Sequence, residues 1–243
     1  MSKSEAPETG FKRTREPCQV RLCAVMGTDA TAVDAARISF RDQDLDSDRD
    51  LTQRDTRLLK YLIDNEHTSP FRHMHFTFYI KAPEFVMRQL YKHVVGIETT
   101  AGAAYKDHGW SEVSGRYKEM NEIYVPKTWH TQHKSSKQCS AGPLDAQSQD
   151  GANFVYNKAL NMIETAYFSL LEAGVSKEEA RMVLPLSFMT EVIWTPSLQA
   201  VMHFIRLRDD PHAQHEIQVL ARELLKHVRE RAPVCTEFWI GSE

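Results

Sequence analysis

Apolar and polar residues alternate along "HMHFTFYIKAP" (73–83), with Met74, Phe76, Phe78 and Ile80 facing one way and His75, Thr77, Tyr79 and Lys81 the other. That period of two predicts a strand with one buried face. Pro83 suits the first position of a following helix, "PEFVMRQLYKHV". "VRLCAVM" (20–26) predicts an earlier strand, and "DATAVDAARISF" (29–40) a helix with Asp29 as its N-cap. Apolar residues at 58, 59, 62 and 63 give 51–67 helical spacing. An amphipathic pattern over 154–174 ends at a C-cap glycine. Ser176 and Glu179 then stand at capping-box spacing, and "LSFMTEVIW" (186–194) predicts a second strand. Two further helices, 196–208 and 211–232, each open with a proline.

Between these elements the pattern breaks. Residues 1–17 read as a mobile polar arm, 41–50 as a charged loop, 95–109 as a loop of small residues, and 130–151 as a polar connector. The Asp-x-Asp run in 41–50 lacks the glycine and terminal glutamate of a calcium loop. Segregated strands and long helices suggest an α+β fold, a mixed sheet with long helices, with 18–243 as a single domain.

Thirty basic and 33 acidic residues leave a formal charge of -3 in 243 residues, which argues against nucleic acid as a partner. Cys18, Cys23, Cys139 and Cys235 have neither CxxC spacing nor a secreted disulfide pattern, so reduced structural thiols are expected. The first seventeen residues lack a signal peptide's apolar core, and no window holds the run of about 18 apolar residues that a membrane span needs. The expectation is a soluble cytoplasmic protein with no membrane partner.

Candidate chemistry sits where basic residues interrupt apolar elements. Arg181 lies among Ala180, Met182, Val183 and Leu184, Arg208 follows "AVMHFIRL", and Gln89 and Lys92 ride a helix with an apolar face. A structural ion pair would satisfy any one arginine; several together suit a bound anion, such as a nucleotide phosphate. "SEVSGRY" (111–117) crowds Glu112, Ser114 and Arg116 into five residues, which a surface loop could also do. Ser114 has no evident general-base partner, so it reads as a binding group rather than a nucleophile. There is no GxGxxG, Walker A, GxSxG or HExxH motif, and the "HMH" histidines read as exposed or packed, with no metal expected.

"AARISF" (35–40), "HTSPFRHMHFTFYIKAPEFVMRQLYKH" (67–93), "SEVSGRY", "ARMVLPL" (180–186) and "LRDDPHAQHEIQ" (207–218) occur in one order along the chain. Together they resemble the flavin-dependent thymidylate synthase family over about residues 20–238. The resemblance implies reductive methylation of dUMP to dTMP, with methylenetetrahydrofolate as carbon donor, reduced FAD as hydride donor and NADPH as the usual reductant of the flavin. It implies a homotetramer whose active sites combine neighbouring subunits. Residue by residue, it assigns Gln89, Lys92, Glu112, Ser114, Gly115, Arg116, Arg181 and Arg208 to the nucleotide. Arg208 is the catalytic group, a guanidinium against the uracil edge that stabilises charge developing on the ring. His67, Ser69, Lys92, His93, Val94, Glu112, Ser197, Gln199 and His203 match the flavin region.

The chain departs from that pattern on the flavin and folate side. The usual Arg-His-Arg is Lys92-His93-Val94, followed by nineteen residues before Ser114 instead of seven. Ser197, Gln199 and His203 stand where the family usually has Asn, Arg and Asn. The added stretch is either a passive loop or a mobile segment bringing Tyr105, Lys106, His108 and Trp110 over the cofactor. Two other functions stay open on sequence alone: folate-dependent hydroxymethylation of a pyrimidine deoxynucleotide, and nucleotide binding without flavin catalysis.

Overall fold

The computed structural model describes residues 10–40, 49–93, 97–98, 104–105, 109–135 and 139–241. In chain order these form β1 (Lys12–Thr14), β2 (Gln19–Met26), α1 (Asp29–Ala36), α2 (Gln53–Asp64), β3 (His75–Pro83), α3 (Glu84–Leu90), β4 (Ile97–Glu98) and β5 (Ala104–Tyr105). There follow β6 (Gly109–Glu112), β7 (Glu122–Tyr124), β8 (His130–Gln132), β9 (Ser140–Pro143), α4 (Ala146–Glu172) and α5 (Lys177–Ala180). The chain continues through β10 (Met189–Thr195), α6 (Leu198–Arg208), α7 (His215–Arg231) and α8 (Pro233–Ile240). Single 3-10 turns span Ile38–Phe40, Ser69–Arg72 and Arg181–Val183. Helices and strands mix as the α+β reading expected.

Two compact units share the chain. One holds Met1–Pro17, Ala82–Phe85 and Val113–Thr190; the other holds Cys18–Lys81, Val86–Glu112 and Glu191–Glu243. The frame of the second unit is a four-stranded sheet in the order β2-β3-β10-β6. Phe76, Phe78 and Ile80 are fully buried on β3, as its alternation requires. Phe78 packs on Trp194 of β10, and Trp194 packs edge-on to Phe204 of α6, each pair with ring centroids 6.2 Å apart. The antiparallel β2–β3 pairing shifts register between Leu22 and Ala24, so Cys23 is the extra residue of a bulge.

Polar contacts tie the outer helices of this unit together. Thr28, not Asp29, is the N-cap of α1. Asp29 is buried and accepts from the backbone N–H groups of Val234 and Cys235 at 2.9 and 3.0 Å, capping α8 instead. Burial and the neighbouring Asp29 carboxylate push the Cys235 thiol well up, which keeps it protonated and unreactive. Asp55, fully buried at the start of α2, pairs with Arg37 and with Arg49 (2.8 Å), and Arg49 also reaches Asp34 (3.1 Å). Burial alone would raise the Asp55 carboxyl; the bonds from Arg49, Thr52 and Arg37 more than reverse this and hold it below the usual carboxylate range. Arg37 therefore earns its place in "AARISF" as a structural group.

The first unit packs α4 on a small core of Phe11, Ile123, Val125, Leu160, Tyr167 and Ala180. Its first strand corrects the reading of residues 1–17 as an arm. Phe11 is only 9% exposed, and β1 pairs in parallel with β7 from Lys12↔Glu122 to Thr14↔Tyr124. Arg13 adds a 2.9 Å bond to Asn157 on α4. Residues 1–9 lie outside the described residues, as do 41–48. In the 130–151 stretch, β8 and β9 pair antiparallel, and Asp145 caps an α4 that begins eight residues before the apolar pattern at 154. The polar first turns of α4 carried no apolar period to reveal them.

Asp55→Ala should cost about 2–4 kcal/mol in urea unfolding, because two arginines lose their buried acceptor. The depressed carboxyl contributes its full stability above pH about 4 and loses it as pH falls through the folded-state value, so this variant should also flatten the acid limb of stability against pH.

Candidate functional site

In the second unit, the short α3 buries Val86, Met87 and Leu90 and leaves Gln89 half-buried on its flank. The Gln89 side-chain amide donates to Gln214 Oε1 at 2.9 Å, just ahead of α7. The chain then turns: the Lys92 and His93 backbone N–H groups donate to Gln89 and Leu90. Lys92 is exposed, while the His93 ring lies edge-on to Phe204 at 5.3 Å and 6.1 Å from His203. Arg208, the last residue of α6, donates its Nε to His93 Nε2 at 2.8 Å. Accepting there requires a neutral ring with its proton on Nδ1. Burial, then the Arg208 and His203 charges, push His93 down to about 4. Arg208 is thus oriented by a neutral acceptor, and its outer N–H groups have no partner among the described residues.

At the other end of α6 the flavin-side residues gather. Leu198 N–H donates to Met74 carbonyl (2.8 Å) and Phe76 N–H to Pro196 carbonyl (3.0 Å), with His75 and Ser197 bridged between them. This holds Ser197 and Gln199 against the Ser69–Arg72 turn. Ser197 Oγ caps α6 by accepting from Ala200 N–H at 3.3 Å. Arg72 Nε donates to Gln199 Oε1 at 2.6 Å. Ser69 and His67 are exposed, with the His67 ring edge-on to Tyr61 at 5.9 Å. His203, a turn further along α6, is also exposed. Solvent-facing hydroxyl, guanidinium and imidazole groups here fit a dinucleotide: donors for phosphate and flat rings for an aromatic base.

In the first unit, Ser114 carbonyl accepts from the N–H groups of Tyr117 (3.1 Å) and Lys118 (3.2 Å), closing a turn on 114–118. Ser114 Oγ accepts from Arg116 N–H and Nε, both at 3.3 Å, and the Arg116 guanidinium lies 5.3 Å from the Tyr117 ring centre. Gly115 is buried because the Arg181 side chain crosses it: a Cβ there would meet Arg181 Cδ at 3.2 Å and Met120 Cγ at 3.1 Å. Arg181 Nε donates to Glu178 carbonyl at 3.2 Å. The apolar sequence neighbours of Arg181 do not bury it: it is exposed, and Met182 is 78% exposed. A three-residue 3-10 turn sends successive side chains in different directions, so its apolar neighbours do not surround it. Among the described residues, Arg116, Arg181 and Arg208 have no carboxylate partner, so none of the described acids supplies the ion-pair alternative.

Other expectations divide. Val94, Lys106 and His108 lie outside the described residues, and Tyr105 is described only as part of β5, paired with Ile97 of β4. Trp110 is not on a mobile loop: it sits on β6 opposite Trp194, edge-on to Tyr91 at 5.1 Å, with its indole N–H 3.4 Å from Glu112. Exposed Glu112 ends the same strand, opposite Val192. The sequence reading missed Arg72 and Gln214, both inside segments it had singled out but not on apolar elements.

The model of the thymidylate synthase complementing protein family matches residues 21–234. A flavin-dependent thymidylate synthase of Kosmotoga olearia is 37% identical over 225 residues, covering 91% of this chain and 90% of that one. That of Thermus thermophilus is 38% identical over 216 residues, covering 88% and 73%. Among solved structures, the UMP/dUMP methylase PolB of Streptomyces cacaoi bound with 5-Br dUMP superposes with a TM-score of 0.80 at 27% identity, covering 94% of this chain and 97% of that one. The same enzyme bound with 5-Br UMP gives 0.77 at 26%. With its motifs in order and the match running through almost the whole described chain, this protein belongs to the thymidylate synthase complementing protein family.

Proposed function

We propose that the protein is a flavin-dependent thymidylate synthase, converting dUMP to dTMP with methylenetetrahydrofolate as carbon donor and NADPH as reductant. The observation that carries this reading is the state of Arg116, Arg181 and Arg208, three guanidinium groups at nucleotide-matching positions with no carboxylate partner among the described residues. When bound, reduced FAD supplies the hydride. His67, Ser69, Lys92, His93, Val94, Glu112, Ser197, Gln199 and His203 are the residues assigned to hold it. Residues 18–243 act as one catalytic domain within a homotetramer.

Arg208 meets the uracil O2/N3 edge in this scheme. Its Nε stays on His93, so the Nη pair is aimed without reorganisation, and negative charge developing on the ring is stabilised as C5 becomes nucleophilic. Ser114, Arg116 and Arg181 bind and orient the nucleotide, and Gln89 adds an amide. No cysteine acts as nucleophile, consistent with the buried, protonated Cys235.

Three measurements test this. Incubating the protein with dUMP, methylenetetrahydrofolate, FAD and NADPH should give dTMP by mass spectrometry. A hydroxymethyl nucleotide would replace the proposed reaction, and unchanged dUMP would reduce the protein to a binder. UMP belongs in a parallel run, because the solved relative is described as a methylase of both nucleotides. Gly115→Ala should weaken dUMP binding roughly tenfold and lower the melting temperature modestly, since the new methyl presses on both the Arg181 side chain and the buried Met120. An unchanged dissociation constant would remove Arg181 from the site. In an NMR titration His93 should protonate near pH 4 and shift upward in Arg208→Gln, while staying below its ordinary value because burial, the larger cause, remains. Because its folded value is lowered, the unfolded chain takes the proton first, and stability is lost as pH falls from about 6.5 toward 4.

A further inference from the structure

Gln199 occupies the position where the family pattern has arginine, so α6 has lost a cation from its flavin-side end. The cation that the structure places there comes from a different element. Arg72 ends the 3-10 turn Ser69–Arg72, whose Pro70 and Phe71 are buried, with Phe71 edge-on to Trp239 at 4.7 Å. The backbone from which Arg72 projects is therefore anchored, although its side chain is exposed. Its Nε is spent on Gln199 Oε1 at 2.6 Å. Its two Nη groups have no partner among the described residues, and no described carboxylate neutralises it.

The identity of residue 199 fits this arrangement. A guanidinium has no acceptor, so arginine at 199 could not receive the Arg72 bond and would set two like charges side by side. Glutamine supplies the acceptor, fixes the plane of the Arg72 fork and leaves its paired N–H groups for an anion with two oxygens to offer. Ser69 stands exposed in the same turn as a further donor.

We propose that Arg72, oriented by Gln199, is the guanidinium that binds the diphosphate of FAD in this protein, in place of the arginine that the family carries at 199. This rests on the flavin-dependent reading above, in which FAD is the dinucleotide and its diphosphate its anionic part. dUMP phosphate and the folate carboxylates are the other anions available, and the experiment separates them.

The test uses the full chain: FAD and riboflavin, which lacks phosphate, are titrated with dUMP present by quenching of flavin fluorescence, and dUMP and methylenetetrahydrofolate are titrated separately by calorimetry. Arg72→Gln should raise the FAD dissociation constant roughly ten- to hundredfold and leave those of riboflavin and dUMP unchanged. The exchange Arg72→Gln with Gln199→Arg should restore FAD affinity to within about threefold of the original, since the same pair of groups is present in reverse. Circular dichroism checks that each variant is folded; if Arg72→Gln is not, Arg72→Lys, which keeps charge but not the fork, should show a smaller loss of FAD affinity alone. Unchanged FAD affinity in Arg72→Gln overturns the proposal, as does an equal loss for riboflavin or a loss for dUMP or folate instead. Failure of the unaltered protein to bind FAD overturns the flavin reading itself and takes this proposal with it.

Discussion

Two backbone hydrogen bonds hold the start of α6 to the entry of β3: Leu198 N–H to Met74 carbonyl and Phe76 N–H to Pro196 carbonyl. The second unit's chemistry depends on this join. It sets the Ser69–Arg72 turn beside Ser197 and Gln199, so that Arg72 and Gln199 can bond. It also fixes the axis of α6, whose other end carries Arg208 to His93. Between those ends α6 buries Val201, Met202, Phe204 and Ile205. Deleting such side chains costs several kcal/mol each, which makes α6 a rigid spacer between two polar ends. A single helix thereby positions groups assigned to the flavin and the group assigned to the uracil.

Among the described residues the electrostatics follow one rule in both units: the arginines that hold the fold have carboxylates, and those assigned to ligands do not. Arg37 and Arg49 share buried Asp55, and Arg13 reaches Glu164 at 3.8 Å. Arg72, Arg116, Arg181 and Arg208 instead bond to Gln199, Ser114, the Glu178 carbonyl and His93, all uncharged. A neutral acceptor orients a guanidinium without cancelling its charge, so the cation keeps its attraction for a phosphate or a developing enolate-like oxygen. His93 serves in this way because its partial burial, and then the Arg208 charge, oppose protonation of the ring.

Much of this was legible in the chain where local pattern and tertiary packing agree. β3 showed its buried face through Phe76, Phe78 and Ile80, and β2, α2, α6 and α7 were found near their observed positions. Short elements defined only by partners were not legible. β1 is three residues long and exists because β7 accepts it, and α8 has its first N–H groups capped by Asp29 from two hundred residues away. The residue types of the site were readable from motif order, but their environments were not. Arg181 has apolar neighbours in sequence and solvent around it in space. The pairing of Arg72 with Gln199 joins positions 127 apart, and no local period encodes it.

Gly115 shows why a motif can match in sequence before its reason is visible. Between Ser114 and Arg116 a glycine reads as turn flexibility, the usual account of such a residue. Here its backbone has no positive φ, so conformational freedom is not the constraint. The constraint is space: the Arg181 side chain and Met120 both lie where a Cβ would be. The missing side chain lets the arginine run close over the turn, with Ser114 Oγ holding Arg116 on its other flank. Ser-Gly-Arg is then one device for bringing two guanidinium groups to the same turn, one from the motif itself and one laid across its glycine. An alanine would keep the turn but press on Met120 and on the Arg181 side chain, so the glycine sets how closely that arginine can lie over the motif.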